Sequence, residues 1–259
     1  MPATPAWPPA SLPRLFVDQP LAGAGEVAID GAQAHYLASV MRVKPGDPVA
    51  LCDDISGEWL AQATEAGRRL VRLRIERQLR PRETVPDLWL LAAPIRKGRL
   101  DWVAEKACEL GVARFVPVRT RRSVVDKVNG ERLRAHMIEA AEQCGRTALP
   151  ALGELVTLEA LLADWPGERR LIFADESGGA PLAEAVAAAP APAAILIGPE
   201  GGFDERERAL IRALPAARPV SLGPRILRAD TAAVAAVTLW MAAVGDWNEH
   251  GTLDETGGV

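Results

Sequence analysis

Apolar and polar positions follow two different periods along this 259-residue chain, and the change of period divides it. From Arg14 to about Arg80 the apolar runs are short and strand-like: Leu15-Phe16-Val17, Val27-Ala28-Ile29, Pro48 to Cys52, Trp59 to Ala63 and Leu70 to Ile75. Turns with Gly23, Gly25, Gly46, Gly57 and Gly67 separate them,. Val71, Leu73 and Ile75 alternate with Arg72, Arg74 and Glu76, which predicts a half-buried strand with both arginines on its solvent face,. One helix, around Ala32 to Arg42, interrupts the strands, and the spacing predicts a small β-barrel,. Residues 1–13 are rich in Pro and Ala and read as a loose arm.

Gln78 to Pro86 carries two prolines, several charges and no periodicity, so the domain boundary is placed there, with a barrel over 1–80 and a second domain over 81–259,. Beyond it, buried-strand patterns at Asp87 to Pro94, Phe115 to Val118, Leu171 to Ala174 and Ala194 to Ile197 alternate with helical ones. Leu100, Val103, Ala104, Ala107 and Leu110 share one helical face that stops at Gly111, a residue suited to the left-handed position after a helix,. Further helices are predicted over Glu131 to Cys144, Ala180 to Ala189 and Ala229 to Val244, with a weaker pattern over Leu155 to Asp164. Alternation of this kind predicts an α/β domain with a mainly parallel sheet.

Charge changes the picture more than composition does. The net −4 conceals 18 Lys/Arg against 9 Asp/Glu over residues 64–134, and 9 against 18 over residues 135–259. A basic zone of that size suggests a polyanionic partner, although arginines can equally decorate a solvated face. Cys52, Cys108 and Cys144 are widely spaced with no CxxC, which argues against a disulfide framework or zinc site and for three buried thiols in a reducing cytoplasm,. No signal peptide and no apolar run of membrane-spanning length is visible, so a soluble cytoplasmic protein with no membrane or metal partner is expected,.

Two glycine turns carry the candidate chemistry. The first, Gly198-Pro199-Glu200-Gly201-Gly202, follows a buried strand, and Asp204 with Glu207 predicts a capping box for the next helix,. It is neither a P-loop nor GxGxxG, so phosphate cradling is not supported. The second, Leu222-Gly223-Pro224-Arg225-Ile226-Leu227-Arg228, leads into the last long helix through Asp230 and Thr231, either of which can cap it,. Arg228 opposes the helix dipole there and needs another reason for its place,.

Taken with Lys97-Gly98, Glu105 to Gly111, Arg122-Ser123-Val124 and Glu139 to Arg146 upstream, these turns resemble, in order and spacing, the motifs of the RsmE family. These are small-subunit ribosomal RNA uridine N3-methyltransferases of the SPOUT class, and the likeness covers residues 14–246. The resemblance implies a PUA-like RNA-binding barrel, an α/β domain ending in a trefoil knot, and a homodimer. It also implies S-adenosylmethionine as cofactor, held by three loops: Phe173, Ala174 and Glu176; Ile197, Gly198, Pro199, Glu200, Gly201 and Gly202; and Leu222, Gly223, Ile226, Leu227 and Arg228. The chain has Asp230 where the family usually has Glu, Cys144 where it often has Ser, and Asp53 to Gly57 in place of a Gly-rich hairpin.

Uracil N3 carries a proton and is a weak nucleophile, so the implied reaction requires a proton acceptor and stabilisation of charge on O2 or O4. Arg228 suits the second task, and Glu200 or Asp230 the first. Arg72, Arg74, Arg80, Arg82, Lys97, Arg119, Arg121 and Arg122 are expected to follow the RNA backbone of ribosomal RNA or the small subunit,. A ribose 2′-O-methyltransferase and a non-enzymatic RNA-binding protein are the alternatives.

Overall fold

The computed structural model describes residues 12–96 and 98–248, so Lys97, His250 and most of the Pro/Ala-rich arm lie outside the described residues. There are two compact units. One takes in the chain through Thr84 together with Ile138–Leu149, the other Val85–Met137 and the chain from Pro150.

The first unit contains β1 (Arg14–Phe16), β2 (Glu26–Asp30), α1 (Gly31–His35), β3 (Pro48–Asp53), β4 (Gly57–Ala66) and β5 (Leu70–Arg80). They form a five-stranded sheet in the order β1-β3-β4-β5-β2, antiparallel except for β1 with β3. Val71 and Leu73 are buried and Arg72 and Arg74 exposed, as the alternation predicts. No ladder joins β1 to β2 among the described residues. Instead Gln33 of α1 donates to the Phe16 carbonyl at 2.7 Å, so the barrel is closed there by a side chain. The helix expected over 32–42 breaks in two: after α1 the turns widen into a π-helix at Tyr36–Val40, and Arg42 takes φ 57°. Leu37 is fully buried and its carbonyl accepts from Val43 N at 2.9 Å, which turns the chain back toward β3.

Carboxylates, buried at Asp53 and Glu58 and partly exposed at Glu83 and Asp54, fix this unit's loops. Asp53 accepts from Leu21 N at 2.7 Å, from Ile55 N and Gly57 N at 3.1 Å each, and from the Ser56 hydroxyl at 2.8 Å. Burial alone would raise its pKa, but these donors hold it below the ordinary carboxylate range,. Glu58, with no exposed side-chain area, is matched by Arg14 at 2.5 Å and Arg80 at 2.9 Å. Glu83 accepts from Thr147 N at 3.1 Å and Ala148 N at 3.0 Å, and Asp54 from Leu149 N at 3.0 Å. These bonds place residues 138–149 with the first unit, where the sequence pattern had put them in the second. Cys52 and Cys108 are buried, but Cys144 is exposed, contrary to the expectation of three buried thiols, because it closes a helix on its outer face.

The second unit alternates strand and helix: β6 (Leu88–Ala92), α2 (Arg99–Glu109), β7 (Arg114–Arg119), α3 (Gly130–Cys144), β8 (Ala151–Leu152), β9 (Val156–Thr157), α4 (Leu158–Ala163), β10 (Arg170–Ala174), β11 (Ala180–Pro181), α5 (Leu182–Ala187), β12 (Ala193–Ile197), α6 (Glu205–Ala213), β13 (Ala217–Ser221) and α7 (Ala229–Val244). The last turns of α3 belong to the first unit. The sheet runs β11-β13-β10-β12-β6-β7-β8 with every pair parallel. Every residue of β12 is buried, which explains its unbroken apolar run,. Gly111 ends α2 at φ 89°, as expected. Strand order reverses at β10, whose neighbours are β12 on one side and β13 on the other. Such reversals leave a crevice at the carboxyl ends of the strands. Among the described residues no helix is long and apolar enough to cross a membrane.

Glu58 and Arg72 separate a buried pair from a surface one. Glu58→Ala removes the buried carboxylate that Arg14 and Arg80 meet and should cost about 3–5 kcal/mol in urea denaturation,. Arg72→Ala, which loses exposed pairs with Glu26 and Glu65, should cost no more than about 1 kcal/mol,.

Candidate functional site

A cavity of about 430 Å³ opens in the crevice at β10, β12 and β13. Three loops line it: Ala174 to Glu176 with Gly178, Ile197 to Gly202, and Ser221 to Leu227, with Ala229 and Ala232 of α7 behind them. The lining combines glycines and alanines with the apolar side chains of Ile197, Val220, Leu222, Ile226 and Leu227. Gly202 and Gly223 take φ 65° and 103°. The positive φ favours glycine at 202, and a Cβ there would meet the Glu176 carboxylate, the end of a flexible side chain that can move aside,.

Two of the loops are held by charge. Asp175, 3% exposed, accepts from Ser177 N at 2.9 Å and pairs with Arg212 at 2.7 Å and Arg208 at 3.3 Å. Burial pushes its pKa up, and the bonds from Arg212 and Ser177 outweigh that, leaving it lowered,. Glu176 pairs with Arg208. The glycine turn after β12 is gripped by Arg122, whose guanidinium donates to the Gly201 carbonyl at 2.6 Å and the Phe203 carbonyl at 3.4 Å. The predicted capping box is present: Glu207 N donates to Asp204 at 2.7 Å and Asp204 N to Glu207 at 3.0 Å. Glu207 is fully buried and also accepts from Arg121 N at 2.7 Å.

At the start of α7, Arg228 is the N-cap residue, with an exposed side chain that has no hydrogen-bond or ion-pair partner among the described residues. Asp230 is 8% exposed, accepts from Thr231 N at 2.8 Å and pairs with Arg99. Desolvation would raise its pKa, yet the Thr231 and Arg99 bonds prevail and lower it. Neither Asp230 nor Arg228 lines the cavity, and the Asp230 carboxylate is paired with Arg99 at the entry of α7.

Of the residues expected to bind cofactor, all line the cavity except Phe173 and Arg228. Phe173 is fully buried, packed edge-on to Phe203 at 6.3 Å, because alternation along β10 turns it into the core and leaves the next residue, Ala174, at the crevice. The barrel arginines make ion pairs that the sequence pattern does not show. Arg72 pairs with Glu26 and Glu65, Arg74 with Glu76, Arg82 with Asp54, and Arg80 serves buried Glu58 and donates to the Gly145 carbonyl. Arg121 pairs with Asp204 at 3.5 Å and Arg122 holds the glycine turn, while Arg119 ends β7 exposed. Arg99, Arg208 and Arg212 were not singled out in the sequence. Arg99 adjoins the Lys97-Gly98 motif, but the partners of all three are remote in the chain.

Residues 82–241 match the family described as RNA methyltransferase domain, and residues 29–76 the RNA methyltransferase PUA domain. The chain is 30% identical to the ribosomal RNA small subunit methyltransferase E of Rickettsia conorii, over 86% of this chain and 93% of that one. Against the Bacillus subtilis protein of that name it is 28% identical, over 87% and 94%. The crystal structure of a ribosomal RNA small subunit methyltransferase E from Neisseria gonorrhoeae bound to S-adenosylmethionine superposes with TM-score 0.82 at 25% identity, covering 91% of this chain and 99% of that one.

Asp175 and Asp230 bind fewer protons folded than unfolded, since both pKa values lie below the ordinary 3.8. Their stabilisation is fully present above that value and is lost as pH falls through the lower folded values. Asp175→Asn should therefore lower stability at neutral pH and flatten the acid limb below about pH 4, read from thermal midpoints against pH.

Proposed function

The chain belongs to the RNA methyltransferase family, and from that premise we propose that it transfers the methyl group of S-adenosylmethionine to N3 of a uridine in small-subunit ribosomal RNA. The observation that carries this reading is the three-loop cavity at the strand reversal, with an unpaired Arg228 next to its lining. The cavity's volume falls in the range of about 300–1,000 Å³ usual for such ligands,. Its bared backbone offers donors and acceptors to an adenine edge, and Ile197, Leu222, Ile226 and Leu227 provide apolar surface. When bound, the cofactor supplies an electrophilic sulfonium methyl group.

The chain's own residues do the rest. Arg228 stabilises the negative charge that develops on a uracil carbonyl oxygen as N3 loses its proton. Glu200 is exposed on the cavity lining and has no side-chain partner among the described residues, which makes it the acceptor for the N3 proton. The Arg99–Asp230 pair fixes the first turn of α7 and so the direction of Arg228. Arg122 acts on RNA indirectly, by holding the glycine turn. The reading includes a cytoplasmic homodimer, supported by Trp102 on α2 and Leu239 on α7, large apolar side chains that are 40% and 41% exposed.

With the cofactor and small-subunit RNA both saturating, Arg228→Ala should lower kcat about 100-fold and leave S-adenosylmethionine affinity by calorimetry nearly unchanged. Methyl mass retained on the free uracil base after hydrolysis supports base transfer; mass lost with the ribose sinks it. RNA affinity should fall linearly in log Kd against log salt, and a flat response would contradict phosphate tracking.

A further inference from the structure

A second cavity, of about 570 Å³, lies in the same unit between the loops that leave β6 and β7. Its walls are apolar at Ile95, Leu100, Val125 and Leu133, and its polar groups are Asp101, Arg132, Asn129 and Lys127. Asp101 is 8% exposed, and the Arg132 guanidinium contacts it at 2.6 and 3.1 Å, with His136 Nε2 at 3.9 Å. That pairing matches the buried charge within the cavity, leaving walls suited to a neutral planar ring.

Two tethers set this cavity beside the cofactor crevice. Ala93 N donates to the Ile197 carbonyl at 2.9 Å, and Ile197 lines one cavity while Ile95 lines the other. Arg122 grips Gly201, and Val125, three residues on, lines the second cavity. Both loops leave the carboxyl ends of neighbouring parallel strands, so the two cavities share one edge of the sheet.

Building on the methyl-transfer reading, we propose that this second cavity receives the acceptor nucleotide, a uridine turned out of its stack. A turned-out base is what N3 chemistry requires, because N3 lies on the Watson–Crick edge. Asn129 Oδ1 accepts from Arg132 N at 3.0 Å, which leaves the Asn129 amide NH2 to donate to a uracil carbonyl,. Lys127 and Arg96 are exposed and, among the described residues, have no ion-pair partner, so they can meet the flanking phosphates,. The barrel arginines differ on this point, since carboxylates already match their charge.

Small-subunit ribosomal RNA carrying 4-thiouridine, irradiated with the whole protein, tests the placement. Crosslinked peptides should fall within residues 95–101 or 125–133, and crosslinks found only elsewhere overturn it. Val128→Trp, which fills the cavity, and Lys127→Ala should each lower kcat/KM for RNA about 10-fold or more with cofactor affinity within about two-fold of the parent. If Val128→Trp does not fold, Lys127→Ala decides. Parent-like kinetics in the variants with an active parent protein overturn the cavity alone. A parent that neither methylates nor crosslinks the RNA overturns the methyl-transfer reading and this inference with it.

Discussion

Carboxylates tied to arginines or to backbone N–H groups, most of them buried, set the loops on which both units depend. A loop at the end of a strand has polar backbone that the ladder no longer satisfies, and a short ionised side chain can satisfy several such groups at once. Asp53 does so for the β3–β4 turn, Glu83 for Thr147 and Ala148, Asp175 for the turn after β10 and Glu207 for the start of α6. The lowered pKa values of Asp53, Asp175 and Asp230 have the same origin, with hydrogen bonds to the charged form outweighing desolvation,.

This arrangement leaves two glycine turns in the wall of the cavity while charged contacts hold the flanking segments. Arg122, Arg208, Arg212 and Arg99 hold the loops from behind, and the cavity surface keeps its glycines and small apolar residues. Arg228 stands apart because nothing among the described residues neutralises it.

The same division separates the arginines expected to bind RNA. Arg72 meets carboxylates on both neighbouring strands and Arg74 one on its own strand, whereas Arg96 and Lys127 sit on loops and have no ion-pair partner among the described residues. The availability of a cation to phosphate therefore depends on what lies opposite it more than on how many arginines surround it in the chain.

The sequence by itself determined most elements and the location of the loops that line the cavity at the strand reversal. Those are local properties: the alternation in β5, the unbroken apolar run of β12, the Asp204–Glu207 capping box and the glycines at 111, 202 and 223 are written within a few residues. Only the tertiary structure decided which charges are spent on each other. Asp230 meets Arg99, Glu58 meets Arg14 and Arg80, and Arg122 meets Gly201 across spans of chain that no periodicity relates. It also turned Phe173 into the core and joined residues 138–149 to the first unit. The physical reason is that backbone preference and burial pattern act along the chain, while the partner of a buried charge is chosen by packing in space.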